Sequence, residues 1–222
     1  MSQAETPYYH IIDQALAREL AKDLLSIKAV ILRPHHPMTW ASGWNSPIYC
    51  DNRLTLRYPA IREKIRAGFQ YIIESQFSHS DVITGTATAG IPHAAWVAQS
   101  MNKPMAYVRS QAKAHGLGNQ IEGGIEKGEK TIIIEDLVST GGSALSVIEA
   151  VEFVGVDVLG IVSIFTYGFV QADHLFRSKG LPFYTLTDYQ TLIEVARELQ
   201  QVSDEELETL NEWRSHPDQW PL

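Results

Sequence analysis

The run from Thr131 to Ser143 constrains the fold more than any other stretch of this chain. Thr131, Ile132, Ile133 and Ile134 are consecutive β-branched residues, the pattern of a strand buried on both faces of a parallel sheet. Glu135 and Asp136 end that apolar run, and Ser139, Thr140, Gly141, Gly142 and Ser143 follow as a turn rich in hydroxyls and glycine. Ala144, Leu145, Val147, Ile148 and Val151 then recur at helical spacing. Strand, turn and helix in that order predict one βα unit of an open α/β sheet, where ligands sit at the carboxyl ends of the strands.

The parts of this unit have separable chemistry. Gly141 and Gly142 let backbone approach a ligand with no side chain in the way. A helix start presents unpaired N–H groups, and the three hydroxyls add to them, so the turn suits a terminal phosphate. Glu135 and Asp136 repel phosphate but accept hydrogen bonds from sugar hydroxyls. Together the two halves point to a phosphorylated sugar. The plainer alternative is a solvated strand-to-helix turn with a capping Ser or Thr.

The same stretch resembles the phosphoribosyl pyrophosphate (PRPP) signature of the type I phosphoribosyltransferases, an apolar strand, two acids and a short Thr/Gly-rich loop. That superfamily includes PRPP-sensing regulators, and the signature does not specify the base. The resemblance implies an α/β fold with a mainly parallel central sheet flanked by helices and a small N-terminal hood.

Length and charge narrow the classes. A chain of 222 residues, 45% hydrophobic, can bury one substantial core. The expectation is a single domain over residues 1–222, with residues 1–55 contributing much of the hood. A formal charge of −8, from 26 acids against 18 Lys and Arg, argues against a broad nucleic-acid or membrane footprint. Cys50 is the only cysteine, so an intrachain disulfide is excluded. The polar N-terminus and the lack of a long apolar run predict no signal segment, no membrane span and a cytoplasmic location.

Residues 39–53 combine Trp40, Trp44, Tyr49, Gly43 and Pro47 with several hydrogen-bonding side chains. Planar apolar surfaces beside convergent polar groups suit a flat, polar heterocycle. Arg53 could pair with a carboxylate on such a ring. A β-hairpin with packed aromatics is the plainer alternative. Ser42, Gly43, Ser46, Pro47, Ile48, Tyr49, Asp51 and Arg53 resemble the hood segment of the orotate phosphoribosyltransferases, which points to orotate as the base.

Two further turns follow predicted strands. Asp81, Val82 and Ile83 lead into Thr84, Gly85, Thr86, Ala87, Thr88, Ala89 and Gly90, small residues that allow close approach of an anion, although a purely structural turn reads equally well. In the resembled family this is the pyrophosphate-contacting loop. Met105 to Val108 then runs into Arg109, Lys113 and His115, with Gly116 and Gly118 beyond. This is an anion-binding arm or, on composition alone, a solvated charged loop. Arg109, Lys113, His115 and Gly116 match the family's flexible catalytic loop, which closes over PRPP in the partner subunit and so implies a homodimer with the 109–120 loop lent to the neighbouring site. Ser110 departs from the second basic residue found in many members.

The rest of the chain is mostly scaffold. Helices are predicted over Tyr9–Ser26 and from Pro59 to about Glu74, and a long strand over 156–166. Leu181–Leu186 reads as an edge strand, Thr187 or Asp188 as a helix cap, and Ser203–Glu206 as a capping box. Phe165 or Tyr167 could border the base or be core. No arginine lies between Val156 and Gln171, where some orotate enzymes carry one, so the substrate carboxylate is assigned to Arg53.

Taken together, the resemblance implies transfer of phosphoribose from PRPP to orotate. Lys113, His115, Arg109 and Asp136 would carry catalysis. Glu135, Asp136, Ser139, Thr140, Gly141, Gly142, Ser143, Thr84, Gly85, Thr86, Arg109, Lys113 and His115 would bind PRPP. Arg53, Tyr49, Ser46 and Thr140 would bind orotate. The chain would supply no metal cage, because Mg2+ is held mainly by PRPP. A transferase for another base, a PRPP-sensing regulator and a non-enzymatic sugar-phosphate binder are the alternatives. The acidic composition and the Lys113/His115 arm argue against the regulator.

Overall fold

The computed structural model describes residues 7–40, 43–110 and 120–220. Helix α1 (Gln14–Ser26) buries Ala17, Leu20, Ala21, Leu24 and Leu25 on one stripe. It starts later than its periodicity predicts because Asp13 caps it, the carboxylate accepting the Leu16 N–H at 2.9 Å. The residues before the cap belong to the sheet instead. His10 donates its N–H to the Phe183 carbonyl at 2.9 Å, accepts from the Thr185 N–H at 3.0 Å, and so forms one parallel bridge opposite Tyr184.

Two short antiparallel pairs come next, β1 (Val30–Leu32) with β4 (Ile48–Cys50), and β2 (Met38–Thr39) with β3 (Asn45–Ser46). A 3-10 helix (Asn52–Arg57) and α2 (Pro59–Gln76) lead to the main sheet. Its strands are β5 (Val82–Thr86), β6 (Met105–Val108), β7 (Ile121–Glu122), β8 (Lys130–Val138), β9 (Asp157–Thr166) and β10 (Phe183–Asp188), in the spatial order β10-β9-β8-β5-β6-β7. Only the β6–β7 pairing is antiparallel. The remaining helices are α3 (Gly90–Met101), α4 (Gly142–Phe153), α5 (Val170–Lys179), α6 (Tyr189–Glu198) and α7 (Asp204–Ser215). Asp188 caps α6, and Ser203 and Glu206 form the predicted capping box of α7.

Strand alternation divides the apolar residues between two cores. Ile132 and Ile134 of β8 enter a core shared with α1, α2, α3, α6 and α7, and Ile133 enters one shared with α4 and α5. No helix among the described residues is long and apolar enough to cross a membrane.

The connections place the site. The chain moves outward from β5 to β6 and β7, then returns to the other side of β5 and builds outward through β8, β9 and β10. A reversal of this kind opens a crevice at the carboxyl ends of the two strands that flank it. Here the crevice is enlarged because β8 pairs with β5 only as far as Ile134 but with β9 as far as Val138. Glu135 and Asp136, expected at the strand end, therefore lie inside β8, along a stretch with one open side.

Candidate active site

The turn after β8 surrounds a cavity of about 190 Å³ lined by Glu135, Leu137, Val138, the run Ser139–Ser143 and Ala144. Gly141 is the N-cap of α4 at φ +86, and no side chain caps the helix, so its first N–H groups remain for a ligand. The two glycines do different jobs. Gly141 is needed for its backbone conformation and because a Cβ there would sit 2.9 Å from Leu175, whereas a Cβ on Gly142 would meet no atom within 4 Å. Only Gly142 has open space in front of it.

Glu135 lines this cavity and is buried, with Oε2 lacking a hydrogen-bond partner among the described residues. Burial, with the negative Asp136 beside it, pushes its carboxyl up to about 8, and the Thr86 hydroxyl offsets a little of that rise. Asp136 is raised to about 6 by burial, against its own backbone hydrogen bonding and the pull of Arg53. Successive strand residues turn to opposite faces, so the two acids do not form one clamp. Glu135 faces the glycine turn, while Asp136 lies toward Asp51 and Arg53.

A second cavity, of about 380 Å³, adjoins the first. It is lined by Met38, Thr39, Trp40, Tyr49, Cys50, Leu137, Ser139 and Tyr167. Leu137 and Ser139 belong to both cavities. Trp40 lies 5.1 Å from Tyr167 between ring centroids and 6.5 Å from Trp44, with which it stacks. Cys50 is kept protonated, its thiol pushed up by burial. A groove of about 420 Å³ between α2 and α3, where Arg62 lies 4.9 Å over the Trp96 ring, is remote from both.

The predicted site residues divide clearly. Ser139–Ser143, Glu135 and Tyr49 line the paired cavities. Thr140, expected to touch both PRPP and the base, faces the glycine-turn cavity, and it is Ser139 that lines both cavities. Ser46 is fully buried and spends its hydroxyl locally, donating to the Ile48 carbonyl at 2.8 Å. Thr84 is likewise inside the sheet, sharing a 2.7 Å hydrogen bond with Thr131. Gly85 is dictated by packing, since a Cβ there would be 2.9 Å from that of Ala94. Thr86, at the end of β5, is the member of that turn beside Glu135.

Arg53 is an exposed, two-pronged partner of Asp51, its Nε and Nη2 donating at 2.6 and 2.9 Å. Arg109 directly follows β6, where its N–H donates to the Gln120 carbonyl at 3.0 Å and its Nε lies 3.5 Å from Glu122. Ser110 follows it. Lys113, His115 and Gly116, like Ser42, lie outside the described residues.

Three residues that sequence reasoning passed over hold the site together. Asn52 donates to the Asp136 carbonyl at 2.7 Å. Trp213 and Arg214 reach the aromatic cavity's surroundings from α7, with Trp213 Nε1 donating to the Asn45 carbonyl and Arg214 donating to the carbonyls of Tyr167 and Gly168. An arginine thus does arrive at the end of β9, but from the far end of the chain.

Among the described residues no three His, Cys, Asp or Glu side chains gather into a metal cage. Glu135 and Asp136 are the acids on the crevice. Burial raises both carboxyls, Glu135 further than Asp136, so Glu135 keeps its proton at neutral pH and the pair fits hydroxyls, and an ion brought in on a ligand's own oxygens, better than a bare cation.

Residues 56–176 match the family of the phosphoribosyl transferase domain. The orotate phosphoribosyltransferase of Staphylococcus haemolyticus is 53% identical over 201 residues, covering 90% of this chain and all of that one. Its counterpart from Bacillus subtilis is 52% identical over 206 residues, covering 93% of this chain and 95% of the relative. Among solved structures, orotate phosphoribosyltransferase from Aeropyrum pernix superposes with a TM-score of 0.72 at 27% identity, over 83% of this chain and 99% of that one. Leishmania donovani UMP synthase gives 0.76 at 29% identity, over 93% of this chain and 43% of its own. The strand order, the acid pair within β8 and near full-length identity above one half agree, and the chain belongs to the orotate phosphoribosyltransferases, built on the type I phosphoribosyltransferase fold.

Proposed function

We propose that this chain transfers the 5-phosphoribosyl group from PRPP to orotate, releasing pyrophosphate and orotidine 5′-monophosphate. The observation that carries the reading is the contiguity of two unlike cavities across Leu137 and Ser139. One suits an anion at a helix start and the other a flat ring between aromatic walls. A phosphoribose anchored in the first would hold C1′ toward a base lying in the second.

The reaction breaks the bond from C1′ to pyrophosphate as a ring nitrogen of the base approaches, so positive charge grows on the ribose and negative charge on the leaving group. No protein nucleophile is required. The 139–143 turn binds the 5′-phosphate. Glu135 and Asp136 accept from ribose hydroxyls, with Thr86 on the pyrophosphate side. Trp40, Tyr49 and Tyr167 enclose the base, Arg53 at the mouth pairs with its carboxylate, and residues 1–55 contribute much of the hood. Mg2+ supplies charge neutralisation on the pyrophosphate when bound, and the chain's share is the pair of acids. Lys113, with Arg109 and His115, stabilises the leaving group, and closure of the 109–120 loop excludes water. That loop acts in the neighbouring subunit's site, so the working unit is a homodimer.

The test is pyrophosphate release from PRPP and Mg2+ with orotate, uracil, hypoxanthine or adenine. Release with orotate alone is expected. Release with another base, or with none despite PRPP binding, would overturn the reading.

A further inference from the structure

The aromatic cavity has two walls of different origin. Met38, Thr39 and Trp40 come from the β2–β3 hairpin, while Leu137, Ser139 and Tyr167 come from the ends of β8 and β9, and Tyr49 and Cys50 of β4 complete the lining. The hairpin's strands are two residues each, and a pair that short has little stability of its own. Something outside it must set its distance from the sheet.

We propose that α7 does so, with Trp213 and Arg214 as positioning residues that fix the width of the base cleft and hence the affinity for orotate. The inference rests on the activity proposed above. Trp213 is fully buried, and its indole N–H donates to the Asn45 carbonyl at 2.9 Å. Asn45 is paired with Thr39 in the β2–β3 ladder, so this bond holds the strand that lines the cleft. The indole also meets Trp40 edge-on at 5.7 Å and Tyr167 at 5.9 Å, touching one ring from each wall. The next residue grips the sheet side, where Arg214 Nε donates to the Tyr167 carbonyl at 3.0 Å and Nη2 to that of Gly168 at 3.1 Å. Two consecutive residues therefore tie the hairpin and the end of β9 to one rigid helix. Neither lines the cleft, so both act through the residues that do. None of their contacts falls on the 139–143 turn, so the effect should fall on the base and spare PRPP. Helix α7 also lies beyond the residues matched by the domain family.

Trp213→Phe keeps an aromatic ring and deletes the N–H. Leu210→Ala, on the same helix and equally buried, serves as a stability control. KM for orotate, KM for PRPP, kcat and Tm are measured for each beside the wild type. For W213F the orotate KM should rise about fivefold, the effect of one lost hydrogen bond, with PRPP KM and kcat within about twofold. L210A should lose at least as much Tm and keep its orotate KM. An unchanged orotate KM in W213F, parallel rises in both KM values, or an equal orotate effect in L210A would overturn the positioning role. Should W213F fail to fold, Arg214→Lys decides, since losing the forked grip on two carbonyls must give the same orotate-selective rise, and a wild-type KM pair would refute it. A wild-type chain that turns over PRPP with no orotate dependence removes both readings, whereas an orotate-active wild type with unselective variants removes this one alone.

Discussion

The side-chain amide of Asn52 donates across 2.7 Å to the main-chain carbonyl of Asp136, although 84 residues separate them. Asn52 is 1% exposed, and its own carbonyl accepts from the Thr55 hydroxyl at 2.6 Å. The segment after β4 is thereby fastened to the open side of β8, where no strand pairs. Asn52→Ala should cost about 1–3 kcal/mol in denaturant unfolding, the penalty of stranding a buried carbonyl. It should also lower kcat/KM for PRPP by about tenfold, because the acids lose their support. Wild-type kinetics in a destabilised N52A protein would mean that the bond serves the fold alone.

The raised carboxyl of Glu135 links stability to pH. Below its ordinary value of 4.5 both folded and unfolded chains hold the proton, and the fold is unaffected. As pH rises toward the folded value of about 8, the unfolded chain releases its proton first, so stability falls. Glutamine has no proton to release. The Tm of Glu135→Gln should match wild type near pH 4.5 and exceed it by roughly 10 °C at pH 8.5, while PRPP use weakens. Calorimetry across that range checks it, and a constant Tm difference would mean that folding does not raise the Glu135 carboxyl.

The adjacent glycines should separate folding from binding. Gly141→Ala forces a side chain into positive φ and against Leu175, and should cost about 1–2 kcal/mol of stability. Gly142→Val has free space, so its Tm should stay within about 2 °C while the PRPP KM rises about tenfold as the cavity fills. Thermal melts and PRPP saturation curves distinguish the two.

Arg53 presents its guanidinium to Asp51 at the edge of the base cleft, beside Tyr49. Arg53→Ala should raise the orotate KM about tenfold and the PRPP KM far less, the loss expected for a charge-assisted pair. Equal effects on both substrates would remove Arg53 from the orotate carboxylate.

Subunit mixing addresses the 109–120 loop. Lys113→Ala should reduce turnover by at least about a hundredfold with the fold intact. Mixed one to one with a Gly142→Val chain under conditions that exchange subunits, and assayed at PRPP well below KM so that the Gly142→Val sites contribute little, it should regain about a quarter of wild-type activity, the share from hybrid dimers in which one site has both an intact loop and an intact turn. Exchange without recovery would confine the loop to its own subunit.

Much of the scaffold was legible because its signals are local. The change from consecutive β-branched residues to helical spacing located β8, the turn and α4, and Asp188 and the Ser203–Glu206 box marked helix starts through backbone chemistry. The acids' place inside β8 was not legible, since it depends on β5 ending at its own turn while β9 continues. Ser46 and Thr84 looked available by residue type, but burial had already committed their hydroxyls. Trp213 carried only a burial signal on its helix, and nothing local relates it to Asn45, 168 residues earlier.

The bridge from His10 to Tyr184 has a consequence for chain association. β10 is the outermost strand on its side, and its outward N–H and C=O groups form a template for adding a strand from another molecule. His10 occupies that template at its centre, taking the Phe183 carbonyl and the Thr185 N–H. The opposite border, β7, is two residues long and offers little to extend. A chain trimmed back to the α1 cap would expose β10, and edge-to-edge aggregation is the failure expected of it well before loss of the fold.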